Sequence, residues 1–258
     1  MIINEGENNM SKFIARLKQV SQPTPRPMGF GFAKSDTERL KIQLAVRLSA
    51  VAASLGSQLS AADAVILPSS KRGLADILWG LWAKKGDAEE INQAATANAD
   101  FVVLSSTGSA SLPDKKLGKI LQLDAGIGDV LLRTVNELPV DAVLVNEDKE
   151  NIKNLTWQRL MVMQRFTAFL NKPVMATVPL DVTVIDLKLI WETGVSGVIV
   201  DVSNEAEIES VKNLRQIIGE LPFPVRKKRE ELSAVLPHVS GQIEEEPDED
   251  GDDDDDDE

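Results

Sequence analysis

Cysteine and tyrosine are absent from the 258 residues, and histidine occurs once, at His238. Without cysteine there is no disulfide, no thiolate nucleophile and no thiolate-held metal, a composition that fits a reducing compartment. The lone histidine sits beside Pro237, beyond the last helical pattern. A Ser-His-Asp triad or a histidine-ligated zinc site therefore lacks its material. Proton transfer would fall to carboxylates or lysine. No apolar stretch reaches the roughly 18 residues that a membrane span needs. The first nine residues carry Glu5 and Glu7 and have no apolar signal-peptide core. The expectation is a soluble, cytoplasmic protein without a membrane partner.

Charge is also missing from most of the chain. The net charge is −13, yet residues 244–258 alone hold 13 acidic side chains. The rest of the chain has 28 acids against 28 bases. A neutral body without a basic stripe argues against a nucleic-acid face. The tail cannot bury a core, so its composition predicts disorder. It has three readings: it confers solubility, it binds a basic protein partner, or it folds back on Arg226-Lys227-Lys228-Arg229.

One phrase recurs in the chain. Ala62-Asp63-Ala64-Val65-Ile66-Leu67 is followed by Ala99-Asp100-Phe101-Val102-Val103-Leu104. Val140-Asp141-Ala142-Val143-Leu144-Val145 and Val195-Ser196-Gly197-Val198-Ile199-Val200 repeat it. Each is a small polar punctuation before an unbroken apolar run. Such a run suits a strand buried on both faces, as in a parallel sheet.

Eight strand candidates follow from composition: 28–33, 41–48, 64–67, 101–104, 120–123, 142–145, 174–178 and 198–202. Helical spacing is expected over 10–20, with Ser11 as cap and Phe13, Ile14, Leu17 and Val20 as the apolar stripe. This helix should cover the bottom of its own fold. Further helices are expected over 73–85, with Leu74, Ile77, Leu78, Leu81 and Trp82 as stripe, and over 88–98, 127–138, 154–170, 184–192 and 205–218. Trp79, Trp82, Trp157 and Trp191 would then lie on helices as core residues, with Trp79 beside Trp82 as a candidate oligomer contact. Alternating strands and helices imply right-handed βαβ units. Eight strands imply an α/β fold, a (β/α)₈ barrel. An open doubly wound parallel sheet is the alternative, though the Gly-rich first turn it usually carries is absent. The divisions expected are an end segment with short helix and Pro-rich linker at 1–27, a barrel at 28–221, a basic segment at 222–243 and the acidic tail at 244–258.

A small residue, an Asp and then a buried strand is also the look of barrel enzymes of central metabolism. Over roughly residues 28–220 the chain resembles that broad class of aldolases, phosphate-binding isomerases and synthases. The resemblance implies a barrel whose site lies at the carboxyl ends of its strands.

Those ends offer a short set of candidates. Asp124, Glu147 and Asp201 follow three different strands and could converge as Mg²⁺ ligands or as an acid–base group. Each is equally suited to capping a strand-to-helix turn. Lys71 and Arg72 could hold an anionic group, and Ser105, Ser106 and Asn146 could bind substrate. Arg47 lies late in its strand. The loops after the last two strands have no glycines and carry acids, which counts against a sugar phosphate. Two functions follow. One is a carboxylate-based, Mg²⁺-assisted lyase or isomerase for a small anionic metabolite. The other is a non-catalytic barrel that binds or assembles through its first helix and acidic tail.

Overall fold

The computed structural model describes residues 11–22, 39–50, 52–69, 74, 76–110 and 117–224. The chain divides into a body, residues 1–225, and a C-terminal unit, residues 226–258. The second unit, and with it the acidic tail and Arg226–Arg229, lies outside the described residues.

In chain order the elements are α1 (Lys12–Ser21), β1 (Gln43–Leu48), β2 (Ala64–Leu67), β3 (Trp79–Ala83), α2 (Ala88–Thr96), β4 (Phe101–Ser105) and β5 (Gly118–Asp124). Then come α3 (Asp129–Thr134), β6 (Ala142–Asn146), α4 (Lys149–Lys153), α5 (Trp157–Phe169), β7 (Val174–Thr177), α6 (Val184–Glu192), β8 (Gly197–Val202) and α7 (Ile208–Glu220). All eight strands are parallel and follow one another around a closed barrel. β8 closes it on β1 over six residue pairs, from Gln43 with Gly197 to Leu48 with Val202. The fold is a (β/α)₈ barrel and not an open sheet. None of the helices among the described residues is long and apolar enough to cross a membrane.

Seven strands fall where the apolar runs lie, and two expectations are corrected: Trp157, expected in the core, is 79% exposed at the start of α5, and the helix expected over 73–85 gives way to a strand. Residues 79–83 form β3, not part of a helix. All five residues of β3 are buried because both faces of the strand are covered. A strand without a polar side shows no alternation, so Leu74, Ile77, Leu78, Leu81 and Trp82 mimic helical spacing. Trp79 and Trp82 are thus barrel residues, not helix residues at an oligomer contact. The candidate strand at 28–33 lies outside the described residues.

The lower half of the barrel interior is lined with very small residues: Ala45, Ala64, Ala142, Gly118 and Gly197. Such strands leave a hole, and α1 fills it with Phe13, Ile14 and Leu17, all fully buried. Phe13 stacks on Phe101 with ring centroids 4.9 Å apart. A Cβ at Gly118 would lie 2.5 Å from Ile14 Cγ1, and one at Gly197 2.7 Å from Leu17 Cδ2. Glycine is therefore required by the helix at the strand starts.

Polar contacts hold the plug. Asp100 takes the first turn of α1, accepting from Ser11 Oγ at 2.6 Å, Lys12 N at 2.8 Å and Phe13 N at 2.9 Å. Ser11 caps the helix, its Oγ accepting from Ile14 N at 3.2 Å. Asp63 accepts from Leu44 N at 2.8 Å and pairs with Arg215 at 2.9 Å. Asp141 accepts from Lys119 N at 2.9 Å. Arg16 and Lys18 of α1 approach Asp63 and Asp141, each at 3.9 Å. The Asp of the recurring phrase thus ties the barrel floor together. Lys172 closes the same end, donating to Leu138 O and Val140 O at 3.0 and 2.7 Å. Burial lowers its ammonium pKa, and nearby Asp141 opposes that shift.

Asp100→Ala removes three bonds to one helix start. It is expected to cost about 2 kcal/mol in urea unfolding, from a lost cap plus unsatisfied donors. A loss under about 0.5 kcal/mol, the size of an ordinary surface change, would contradict this role.

Candidate functional site

Side chains alternate along each strand, so those in phase with Ala45, Ile66, Trp82, Val103, Ile120, Leu144, Met175 and Ile199 point into the barrel. Following that phase to the carboxyl ends gives the residues at the mouth: Arg47, Trp82, Ser105, Gln122, Asp124, Asn146, Thr177 and Asp201. Register pairs them around the ring. Arg47 lies opposite Asp201, Trp82 opposite Val103, and Ser105 opposite Gln122. The interior thus changes from apolar below to polar at the top.

Arg47 and Asp201 dominate this ring. The guanidinium meets the carboxylate in a fork, Nε on Oδ1 at 2.5 Å and Nη2 on Oδ2. The arginine carbon Cζ lies 4.5 Å from the centroid of the Trp82 ring. A guanidinium over an indole gains cation–π attraction and a fixed plane. The pair is not sealed: the two side chains keep 29% and 44% of their surface. Among the described residues, the Nη1 edge of Arg47 has no hydrogen-bond partner.

Across the ring, Gln122 Nε2 donates to Asn146 Oδ1 at 2.5 Å. Ser105 Oγ and Thr107 Oγ1 are 2.9 Å apart, and Thr107 N donates to Ser105 Oγ at 3.3 Å. Ser106 is held by its backbone N–H on Gln122 O at 3.1 Å.

Asp124, Glu147 and Asp201 do not come together. Asp124 ends β5 and accepts from Gly126 N at 2.7 Å, a turn contact. Asp201 faces Arg47. Glu147 follows inward-facing Asn146, so alternation turns it outward against α5. There it pairs with Arg159 at 2.9 Å, with side chains 5% and 3% exposed. Arg159 also donates to Ile152 O at 3.1 Å and to Thr177 O, bolting α4, α5 and β7 together. Among the described residues no group of three His, Asp or Glu side chains could hold a metal ion. The expected Mg²⁺ cluster is therefore not formed by these three carboxylates. Lys71 and Arg72 lie outside the described residues.

Burial raises the Glu147 carboxyl above its ordinary pKa, while the charge of Arg159 and its hydrogen bond pull it down. Gln122, Trp82 and Arg159 were not among the sequence candidates. Gln122 did carry a signal: it is the polar residue that interrupts Ile120-Leu121-Gln122-Leu123 at an inward position. Arg159 carried none, since it sits in an ordinary amphipathic helix.

No protein-family model matches the chain, and no curated protein matches it. Many solved structures share its fold. A 3-keto-L-gulonate-6-phosphate decarboxylase from Vibrio cholerae has a TM-score of 0.53 at 13% identity, over 71% of this chain and 100% of that one. A KGPDC structure from Streptococcus mutans has a TM-score of 0.53 at 12% identity, over 70% and 99% of the two chains. A tryptophan synthase complex from Pyrococcus furiosus has a TM-score of 0.49 at 13% identity, over 70% and 98%. The class is thereby defined: this is a (β/α)₈ barrel, an architecture shared with the Vibrio and Streptococcus structures. At these identities the likeness is one of fold alone.

Two outcomes are expected from this geometry. Arg159→Met leaves a buried carboxylate alone and should cost about 3–5 kcal/mol near neutral pH. Glu147 holds its proton more tightly folded than unfolded, so its contribution to stability falls as pH rises through the raised pKa. The loss should shrink as pH falls below the raised pKa and the carboxyl takes up its proton. Adding Glu147→Leu should recover most of it. A loss that does not change with pH would refute the pairing. In the second test, magnesium chloride should shift the melting temperature no more than sodium chloride of equal ionic strength. A magnesium-specific rise of about 3 °C, roughly 1 kcal/mol at this size, would show a metal site.

Proposed function

We propose that the barrel mouth binds a small carboxylate-bearing metabolite on Arg47 and that Asp201 moves a proton on it. The observation that carries this reading is the two-sided use of one guanidinium. Its Nε–Nη2 edge holds Asp201, and its Nη1 has no hydrogen-bond partner among the described residues, while the side chain keeps 29% of its surface. Arginine is suited to hold two carboxylates at once, because its five donors form fixed forks. A substrate carboxylate on the second edge would lie beside Asp201. That position lets Asp201 act as a general base or acid without a metal. Trp82 packed against the guanidinium holds its plane in place. The amides of Gln122 and Asn146, with the hydroxyl of Ser105, line the opposite side and would orient the rest of the molecule.

A carboxylate is favoured over a sugar phosphate. In barrels the loops after the last two strands are a common phosphate site. Here Glu207 already takes that corner, its Oε2 accepting from Ser203 N at 2.6 Å and its Oε1 from Asn204 Nδ2 at 2.9 Å. Its charge would repel a phosphate. The Vibrio neighbour is named for a phosphorylated substrate, so this chain is read as a barrel of that architecture with a different ligand. Glu147 is read as structural, since it is consumed by Arg159. A lyase or isomerase step fits Asp201 with no redox cofactor. A binding barrel without turnover is the second reading, favoured by the Arg47 fork that already occupies both carboxylate oxygens of Asp201.

The test is calorimetric titration with a panel of 2-oxo and 2-hydroxy acids, with inorganic phosphate as comparator. Arg47→Met is expected to abolish acid binding, a loss of at least tenfold or about 1.4 kcal/mol. Asp201→Asn removes a competing negative charge, so it is expected to tighten binding several-fold while abolishing turnover. Weakened binding in Asp201→Asn would sink the assignment, as would binding unchanged in Arg47→Met. Tightened binding with no turnover in the parent protein would select the binding barrel.

A further inference from the structure

Thr177 ends β7 and is only 8% exposed. It shares the inward phase of Met175, so its side chain faces the barrel interior. Its Oγ1 has no hydrogen-bond partner among the described residues. A hydroxyl that leaves water without a partner in the fold costs stability. A ligand that bonds it removes that cost.

In a (β/α)₈ barrel the inward side chains stack in layers of four, drawn from alternate strands. The registers place Arg47, Trp82, Gln122 and Thr177, from β1, β3, β5 and β7, in one layer. Ser105, Asn146 and Asp201, from β4, β6 and β8, belong to the layer above. Ile66, Val103, Leu144 and Ile199 make the layer below and are at most 1% exposed, so the well is closed beneath Thr177. β8 lies between β1 and β7. Asp201 therefore stands one layer up, with Arg47 on one side and Thr177 on the other. Arg47 bonds Asp201; among the described residues Thr177 does not. The backbone at Thr177 is also fixed from outside. Arg159 donates to Thr177 O and is itself held by Glu147 at 2.9 Å. One buried ion pair thus ties the ends of β6 and β7 and sets the hydroxyl in place before any ligand arrives, which lowers the entropy lost on binding.

We propose that Thr177 reads a hydroxyl on the carbon next to the ligand's carboxylate, so that the site selects 2-hydroxy acids. The proposal rests on Arg47 holding that carboxylate. Arg47 and Thr177 flank one carboxylate, Asp201, so the shortest ligand that meets both carries its second group on the adjoining carbon. A group in that place meets Thr177 O–H, which donates, and Asp201, which only accepts. Each oxygen of Asp201 keeps a further lone pair beside the Arg47 fork. A ligand hydroxyl satisfies both neighbours, accepting from Thr177 and donating to Asp201. A 2-oxo oxygen only accepts and has no proton to offer Asp201. A hydrogen there leaves Thr177 unpaired.

The test is calorimetric titration of the full chain with matched propanoates and butanoates, each unsubstituted, 2-oxo, 2-hydroxy and 3-hydroxy. The parent protein is expected to bind the 2-hydroxy acid about tenfold more tightly than the unsubstituted one, the worth of one hydrogen-bonded group. Thr177→Val keeps the branched shape and should cut that preference to about twofold or less, while Thr177→Ser should keep most of it. Thr177→Val should also melt no lower than the parent, because the hydroxyl makes no bond within the fold. A 2-hydroxy preference that survives in Thr177→Val overturns the proposal, as does a parent preference for the 2-oxo or 3-hydroxy acid. A melting temperature lowered by about 3 °C in Thr177→Val would show a structural hydroxyl instead and overturn it too. Acid binding that depends on Arg47 but is indifferent to Thr177 sinks this proposal alone. No acid bound by the parent, or binding unchanged in Arg47→Met, sinks the Arg47 reading with it.

Discussion

Closure of the barrel between β8 and β1 is the constraint on which the rest depends. Six consecutive residue pairs join the end of the sheet to its beginning. That seam brings Arg47 against Asp201, which are 154 residues apart in the chain. It also joins Gly197 to Gln43 at the floor, beneath which Leu17 enters the barrel. The charged pair at the mouth and the plug at the base are therefore two ends of one seam. An open sheet would leave Arg47 without Asp201 and α1 without a hole to fill.

The two ends of the barrel do different work with similar residues. At the floor, Asp63, Asp100 and Asp141 accept backbone N–H groups and contact α1. Their carboxylates are spent on holding strands and helix together. At the mouth, Arg47, Gln122, Asn146 and Asp201 are bonded mainly to one another and stay partly open to solvent. Their bonds can be exchanged for those of a ligand. This follows the general division of such barrels into a stability face and a functional face.

The recurring phrase made the architecture legible, because a parallel strand buried on both faces announces itself as an unbroken apolar run. It also made β3 hard to see. Trp79-Gly80-Leu81-Trp82-Ala83 has the same character, but the preceding Leu74, Ile77 and Leu78 complete a false helical stripe. Of the site, Asp201, Asn146 and Ser105 were legible as strand ends. The three-carboxylate cluster was not formed: Asp124 and Asp201 share the inward phase but stand on β5 and β8 with partners of their own, and Glu147 has the opposite phase. Asn146 turns inward and its neighbour Glu147 therefore outward. The pairing of Arg47 with Asp201 needs the closure itself, which no local pattern encodes. The exposure of Trp157 on α5 was hidden for a related reason: an apolar residue at helical spacing reads as core.

The central claim is that Arg47 serves two anions at once. The most direct measurement is nitrogen-15 NMR of the arginine side chains, following the Arg47 Nε–H and Nη signals as a 2-oxo acid is added. The expected result is a Nη signal that shifts and sharpens on saturation while the Nε–H, still held by Asp201, moves little. Loss of the Nε–H contact, or Arg47 signals that stay still while other mouth residues shift, would contradict it.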